Sequence, residues 1–359
     1  MERVSHSAVK SPARADIRVL VVDDSITARA VLSRLIAGEP DMIVVAAAGS
    51  AEQAIELLST VRIDVILLDL EMPGMGGLKA LPRLIAAGRG ARILVVSTLT
   101  ADGAEQTVAA LALGAADTIQ KPAAGRFDTC YRQLLAERVR ALGARRVGIM
   151  AGPPPPPRPR PAADRPLEAL ALGASTGGIH ALDQFFRALP PRIGAPIFVT
   201  QHLPAAVMPV FARQLALASQ REVAVASEGC TARPDHILIA PGDAHLTVRD
   251  RAGRMRIELD RTRLDNGCLP SVDPMFASLA RAIGAGVTGV VLTGMGRDGL
   301  AGARAVIAAG GAIYAQDEAS SAVWGMPRAV VEAGLACAVM APDDIARRIG
   351  LSVGAAAWS

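Results

Sequence analysis

The chain has 359 residues, 51% hydrophobic and 20% charged, which is enough for about two packed domains. Its formal charge of +4 is uneven: residues 1–142 hold 16 basic and 16 acidic side chains, residues 143–168 hold 5 and 2, and residues 169–359 hold 17 and 16. No globular half is basic enough for a nucleic-acid face, and four scattered cysteines without a CxxC pair speak against a structural zinc site or a disulfide framework.

The cysteine usage suits a reducing cytoplasm. Residues Met1 to Asp16 are polar and lack the apolar core of a signal peptide. No apolar run reaches the ~18 residues of a membrane span. A cytoplasmic protein that is not membrane-embedded is expected.

From Arg18, short β-branched runs alternate with helix-like stretches. The runs are Arg18–Val22, Ile43–Ala47, Asp64–Leu68, Arg92–Ser97 and Thr118–Lys121. Continuous apolar runs between helices predict a parallel sheet covered on both faces, a small doubly wound α/β domain of five strands. The pattern breaks between Gly143 and Pro166, where Pro153–Pro157 is followed by Arg158, Pro159, Arg160 and Pro161. Such a segment predicts an extended, semi-rigid spacer, with a ligand for a proline-binding domain as the alternative. A second α/β alternation follows, with strand candidates Ala169–Gly173, Pro196–Thr200, Ile237–Ala240, Val287–Leu292 and Ala312–Ala315. Thr247–Val248 and Met255–Leu259, on either side of Asp250-Arg251-Ala252-Gly253, predict a β-hairpin. No repeat of fixed period relates the halves.

Ligands of doubly wound sheets sit at the carboxyl ends of strands. In the first half those ends are followed by Asp23 and Asp24, by Asp69, by Ser97 and Thr98, and by Lys121 and Pro122. Clustered carboxylates repel one another, and a hard cation such as Mg²⁺ relieves that. A carboxylate there can act as nucleophile toward a phosphoryl group, with the lysine and hydroxyl binding its oxygens.

The segments Val21-Val22-Asp23-Asp24-Ser25, Leu68-Asp69-Leu70-Glu71-Met72-Pro73-Gly74 and Lys121-Pro122 resemble a response-regulator receiver domain of the flavodoxin-like fold, over residues 17–135. The resemblance implies that Asp69 accepts a phosphoryl group from a histidine kinase. It implies Mg²⁺ held by Asp24, Asp69 and the Glu71 backbone carbonyl with Asp23 assisting, Ser97 as the switch hydroxyl and Lys121 as phosphate partner. Lys121–Pro122 is a candidate cis bond. Receivers usually carry an aromatic three residues before the lysine; here that position is Thr118.

In the second half the strand ends are followed by Gly173-Ala174-Ser175-Thr176-Gly177-Gly178, by Gln201-His202, and by Thr293-Gly294-Met295-Gly296-Arg297-Asp298-Gly299. A serine in a Gly-rich turn between strand and helix exposes its hydroxyl beside backbone N–H groups. It needs a base, and the base needs an orienting carboxylate. His6 lies in the N-terminal tail, His236 precedes its strand, and His180 falls too far round the helix that follows Ser175. His202 and His245 both follow strands, and spacing favours His202. Asp243, Asp273 and Asp298 compete for the carboxylate, and the chain order Ser…His…Asp is not that of an α/β-hydrolase.

With Gln201-His202-Leu203-Pro204, Ala240-Pro241-Gly242-Asp243, Pro270-Ser271-Val272-Asp273 and Ala315-Gln316-Asp317-Glu318-Ala319-Ser320, these segments resemble the catalytic domain of the CheB family of chemotaxis protein-glutamate methylesterases, over residues 168–350. Residues 136–167 would be the linker. The resemblance implies a doubly wound, mostly parallel hydrolytic domain with Ser175 as nucleophile, His202 as base and acid, and Asp298 orienting His202. The Met295 backbone N–H would be an oxyanion donor, and Thr176 lies beside the nucleophile. It implies a monomer that hydrolyses glutamate γ-methyl esters of methyl-accepting chemotaxis receptors without a cofactor for the ester chemistry, releasing methanol. The same acyl chemistry extends to glutamine deamidation. The two-domain order and the linker motivate a further expectation, that the unphosphorylated receiver packs over the catalytic cleft and that phosphorylation of Asp69 weakens that packing. The family usually has a His-Arg pair where this chain has Cys268-Leu269. Competing readings are a phospho-regulated esterase or amidase for another substrate, a docking scaffold without activity, and a DNA-binding regulator. The last lacks a helix-turn-helix pattern and a basic face.

Overall fold

The computed structural model describes residues 16–97, 101–121, 128–143, 166–251, 253–265 and 267–356. Residues 144–165 of the expected 136–167 linker, Thr98 and Pro122 lie outside them, and with them the expected proline-rich spacer and cis bond; residues 136–143 are not linker in form but continue a helix over Thr129–Gly143. By compactness the chain forms two units, residues 1–92 with 126–145 and residues 93–125 with 146–359.

The N-terminal elements run β1 (Ile17–Val22), α1 (Ile26–Ala37), β2 (Met42–Ala48), α2 (Ala51–Thr60), β3 (Val65–Leu68), α3 (Gly77–Ala87), β4 (Arg92–Ser97), α4 (Ala101–Ala112), β5 (Asp117–Gln120) and α5 (Thr129–Gly143). The sheet order is β2-β1-β3-β4-β5. β3 is buried throughout and β1 over Val19–Val22, as their unbroken aliphatic sequences require. Ser25 and Ser50 cap α1 and α2, each side-chain oxygen accepting a backbone N–H three residues on. The chain crosses from one side of β1 to the other, so the crevice above β1 and β3 is the switch point of this sheet.

The C-terminal elements are β6 (Ala169–Ala174), α6 (Gly178–Ala188), β7 (Ile197–Gln201), α7 (Met208–Ser219), β8 (Val223–Val225), β9 (Ile237–Ile239), β10 (His245–Arg251), β11 (Arg254–Asp260), α8 (Val272–Ile283), β12 (Val287–Val291), α9 (Leu300–Ala308), β13 (Ala312–Gln316), α10 (Met326–Glu332), β14 (Ala338–Met340) and α11 (Pro342–Ala356). Seven parallel strands form one sheet, ordered β14-β13-β12-β6-β7-β9-β8. The edge strands β8 and β14, three residues each, are additions to the expected five. The hairpin is a separate two-stranded sheet, longer than expected, pairing His245 with Asp260 through Arg251 with Arg254. Leu246, Val248 and Ile257 of the hairpin share a buried cluster with Phe276 and Leu279 of α8 and Phe198 of β7. α8 is thereby fixed between hairpin and sheet, which sets the position of the loop before it.

Sheet order places β6 between β7 and β12, so its carboxyl end is the switch point of the larger sheet. The register aligns Ala174 with Gln201 and Gly173 with Val291. Ser175, His202 and the turn after β12 therefore leave the sheet at one edge.

Candidate active site

Ser175 follows β6 directly. Its backbone N–H donates to Thr293 O at 3.0 Å, and its carbonyl accepts from Gly178 N at 2.8 Å and Gln201 Nε2 at 2.8 Å. The turn into α6 needs a left-handed residue, supplied by Gly177 at φ +78°. Gly294, in the turn after β12, lies against the serine: a Cβ there would sit 2.8 Å from Ser175 Cβ and collide with Met326 Sδ. Absence of a side chain at Gly294 lets the Met295 turn approach the hydroxyl. The amide of Gln316 holds that turn, its Oε1 accepting from Thr293 N at 2.7 Å, while Thr293 Oγ1 donates to Thr176 O at 2.9 Å. Met295 N–H has no hydrogen-bond partner among the described residues, as an oxyanion donor requires.

His202 Nε2 lies 2.8 Å from Asp298 Oδ2. The histidine side chain is 18% exposed and the aspartate 2%. Asp298 also accepts from Ser271 Oγ at 2.6 Å, Val272 N at 2.7 Å and Gly299 N at 2.9 Å. Burial alone would raise its pKa. The hydrogen bonds from His202, Ser271 and Val272 outweigh that and hold Asp298 below the usual carboxylate range. With Nε2 turned to the carboxylate, Nδ1 is left as the basic nitrogen. Ser175 Oγ makes no hydrogen bond among the described residues; such contacts commonly tighten only when substrate is bound. Thr176 is buried and, within the second unit, its Oγ1 donates to Asp117 Oδ2 at 2.6 Å.

The competing residues go elsewhere. His245 is fully buried, with Ser271 N donating to its Nδ1 at 2.9 Å and its Nε2 2.8 Å from Thr262 O. Both ring nitrogens are used, so it braces the Ser271 loop and has no lone pair for a substrate. His236 pairs with Glu222 at 3.3 Å. Asp243 is exposed and faces Arg261 at 3.7 Å. Asp273 begins α8 and accepts from Gly302 N at 2.7 Å. Burial, followed by the neighbouring Asp298 charge, pushes its pKa up to about 6.

Sequence reasoning assigned no role to Ser271, Gln201 or Gln316, and weighed His245 only as the alternative base. Ser271, Gln201 and Gln316 stand inside quoted motifs, but which atom each faces depends on packing. His245 carried the signal of following a strand, and its burial gives it a different task.

The second acidic constellation also assembles. Carboxylate oxygens of Asp23, Asp24 and Asp69 lie within 4.8 Å of one another, the first and last residues buried and Asp24 exposed. Asp23 Oδ1 accepts from Ser25 N at 2.9 Å, and Asp69 Oδ1 from Glu71 N at 3.2 Å. Glu71 is exposed in the loop after β3. Three convergent carboxylates are a hard, all-oxygen donor set that fits Mg²⁺. Ser97 ends β4 with its Oγ 2.8 Å from Thr107 Oγ1, and Lys121, just past β5, donates its backbone N–H to Ser97 O at 2.8 Å. Thr118 is half-buried on β5.

Among the described residues, no helix is long and apolar enough to cross a membrane. Residues 170–349 match the family model of CheB methylesterase, and residues 19–127 that of the response regulator receiver domain. A protein-glutamate methylesterase/protein-glutamine glutaminase 2 of Caulobacter vibrioides is 45% identical over 336 residues, covering 92% of this chain and 96% of that protein. A protein-glutamate methylesterase/protein-glutamine glutaminase 1 of Paramagnetospirillum magneticum is 39% identical over 367 residues, covering 94% and 96%. The crystal structure of the Thermotoga maritima CheB methylesterase catalytic domain matches with a TM-score of 0.50 and 34% identity, covering 51% of this chain and 97% of that one. A receiver implies Mg²⁺-dependent phosphorylation by a kinase in general terms. With a carboxylate-oriented histidine and a serine at one sheet edge behind a receiver, and relatives aligned over nearly the whole length, the chain belongs to the CheB methylesterase family.

Proposed function

We propose that this chain hydrolyses glutamate γ-methyl esters on the cytoplasmic part of chemoreceptors, releasing methanol, and deamidates glutamine by the same acyl chemistry. The observation that supports this reading is the 2.8 Å bond between His202 Nε2 and Asp298 Oδ2 at the sheet edge that also carries Ser175. In this mechanism His202 takes the Ser175 Oγ proton, and Oγ attacks the ester carbonyl. The Met295 N–H stabilises the oxyanion, a contribution of about 3 kcal/mol per donor in serine hydrolases. His202 then gives its proton to the leaving methoxide. Water, deprotonated by His202, attacks the acyl-enzyme carbonyl, and His202 returns that proton to Ser175 Oγ as the serine leaves and glutamate is released. Asp298 keeps the imidazole in one tautomer throughout, and no cofactor takes part in the ester chemistry.

Asp69 is the proposed phosphoacceptor for a histidine kinase of the chemotaxis array. Asp23, Asp24, Asp69 and the Glu71 carbonyl would hold Mg²⁺, which neutralises the clustered charge and polarises phosphoryl oxygens. Ser97 and Lys121 would receive those oxygens. The proposed domains are a receiver over 17–135, a linker over 136–167 and a catalytic domain over 168–350, in a cytoplasmic monomer. The unphosphorylated receiver restrains the esterase, a reading that the order of the two domains and the linker between them supports.

Ser175→Ala is expected to abolish methanol release from methylated receptor membranes. Retained release would remove the serine from the mechanism.

A further inference from the structure

Cys268 belongs to no step of ester hydrolysis, yet it stands beside the catalytic pair. Its Sγ, a ring nitrogen of His202 and a carboxylate oxygen of Asp298 lie within 4.8 Å of one another. The three residues come from separate segments: the loop before α8, the loop after β7 and the turn after β12. Thiolate, imidazole and carboxylate together are a donor set suited to zinc, unlike the all-oxygen cluster at Asp69. Three protein ligands on a partly exposed histidine leave the fourth position open, the mark of an exchangeable site. From this cluster we infer that His202, Cys268 and Asp298 form a Zn²⁺ site, and that its occupation reversibly shuts off the esterase by taking His202 out of proton transfer.

A dication is attracted by the Asp298 carboxylate and displaces the thiol proton to solvent, so Zn²⁺ and a cysteine thiol give a zinc thiolate and one free proton. Bonds from Ser271 Oγ, Val272 N and Gly299 N keep the Asp298 carboxylate oriented while its bond to His202 is given up.

The test is titration of the full-length, metal-free chain with Co²⁺ alone, following the thiolate-to-cobalt charge-transfer absorption. The expected result is a band that saturates at one equivalent, is abolished in Cys268→Ser, persists in Asp69→Asn, and is bleached by Zn²⁺. The Zn²⁺ concentration for half-inhibition of methanol release is expected to rise at least about tenfold in Cys268→Ser, the factor lost with one ligand or its support. Absence of the band, or its survival in Cys268→Ser, overturns the inference. If circular dichroism shows that Cys268→Ser does not fold, a chain with Cys130, Cys230 and Cys337 changed to Ser decides: the band persists if the site is real and vanishes if it is not. The spectrum needs no substrate, so it stands or falls separately from the ester reading.

Discussion

At the scale of single residues, Asp298 is the hub of the candidate site. A carboxylate oriented from several sides can hold an imidazole in one pose, and each charged hydrogen bond contributes about 1.5–3 kcal/mol. Ser271→Ala removes the 2.6 Å donor to Oδ1 while leaving the backbone donors of Val272 and Gly299. We expect kcat for methanol release to fall about 10- to 100-fold with KM nearly unchanged, in proportion to that bond. A rise in KM at constant kcat would place Ser271 in substrate binding instead. Asp273 gives a pH signature. Its folded pKa, about 6, stands above its ordinary 3.8, so the folded state binds the proton more tightly and stability falls as pH rises between those values. Asp273→Asn keeps an acceptor for Gly302 N and has no charge to bury. Its melting temperature should match wild type near pH 4 and exceed it by roughly 2–4 °C at pH 7.5. An equal difference at both pH values would show that ionisation of Asp273 does not matter to folding.

At the scale of elements, the strand pattern was legible because parallel strands buried on both faces read as short aliphatic runs bounded by helices. β8 and β14 were not. Unlike the equally short but fully buried β9, these two lie at the sheet edges with half-buried or exposed side chains, so burial imposes no pattern on them and their pairing is decided by the edge they meet. The hairpin was visible, but its length was not. Arg249, Asp250 and Arg251 look like turn residues and instead continue β10 on its exposed side. The turn after β12 shows what close packing demands. In Gly294→Ala the new methyl must displace Met326 Sδ and press on Ser175 Cβ. Overpacking of this kind costs about 1–3 kcal/mol. Activity is expected to fall more steeply than stability, because the displaced atoms are those around the hydroxyl. Parallel denaturation curves and methanol-release rates check this, and a loss of stability with full specific activity would count against the turn as part of the site.

At the scale of the whole molecule, two sheets each place their chemistry at a switch point, one acidic and one nucleophilic. The +4 charge does not mark either sheet; +3 of it lies within 143–168. Coupling between the two sites is tested by Asp69→Asn and by a chain without residues 1–142. The first is expected to stay at basal activity when a small-molecule phosphodonor and Mg²⁺ are supplied, while wild type is stimulated. The second is expected to be active without the donor. If both respond to the donor as wild type does, restraint by the receiver is wrong. Thr118, in place of the usual aromatic, makes this comparison informative, since stimulation would then proceed without an aromatic rotamer change.

The sequence by itself determined the doubly wound α/β architecture, the acidic set at 23, 24 and 69, and the serine, histidine and aspartate candidates. These follow from local pattern: apolar runs fix strands, and whatever follows a strand must emerge at its carboxyl end. Spacing and the family resemblance favoured His202 over His245, and tertiary structure supplied the physical reason, because both follow strands and only burial shows that His245 has spent its two nitrogens. It alone brought Ser271 and Cys268 to Asp298, across 27 and 30 residues of chain, since contacts at such separation depend on where α8 and the hairpin lock their loops and not on any spacing in the sequence.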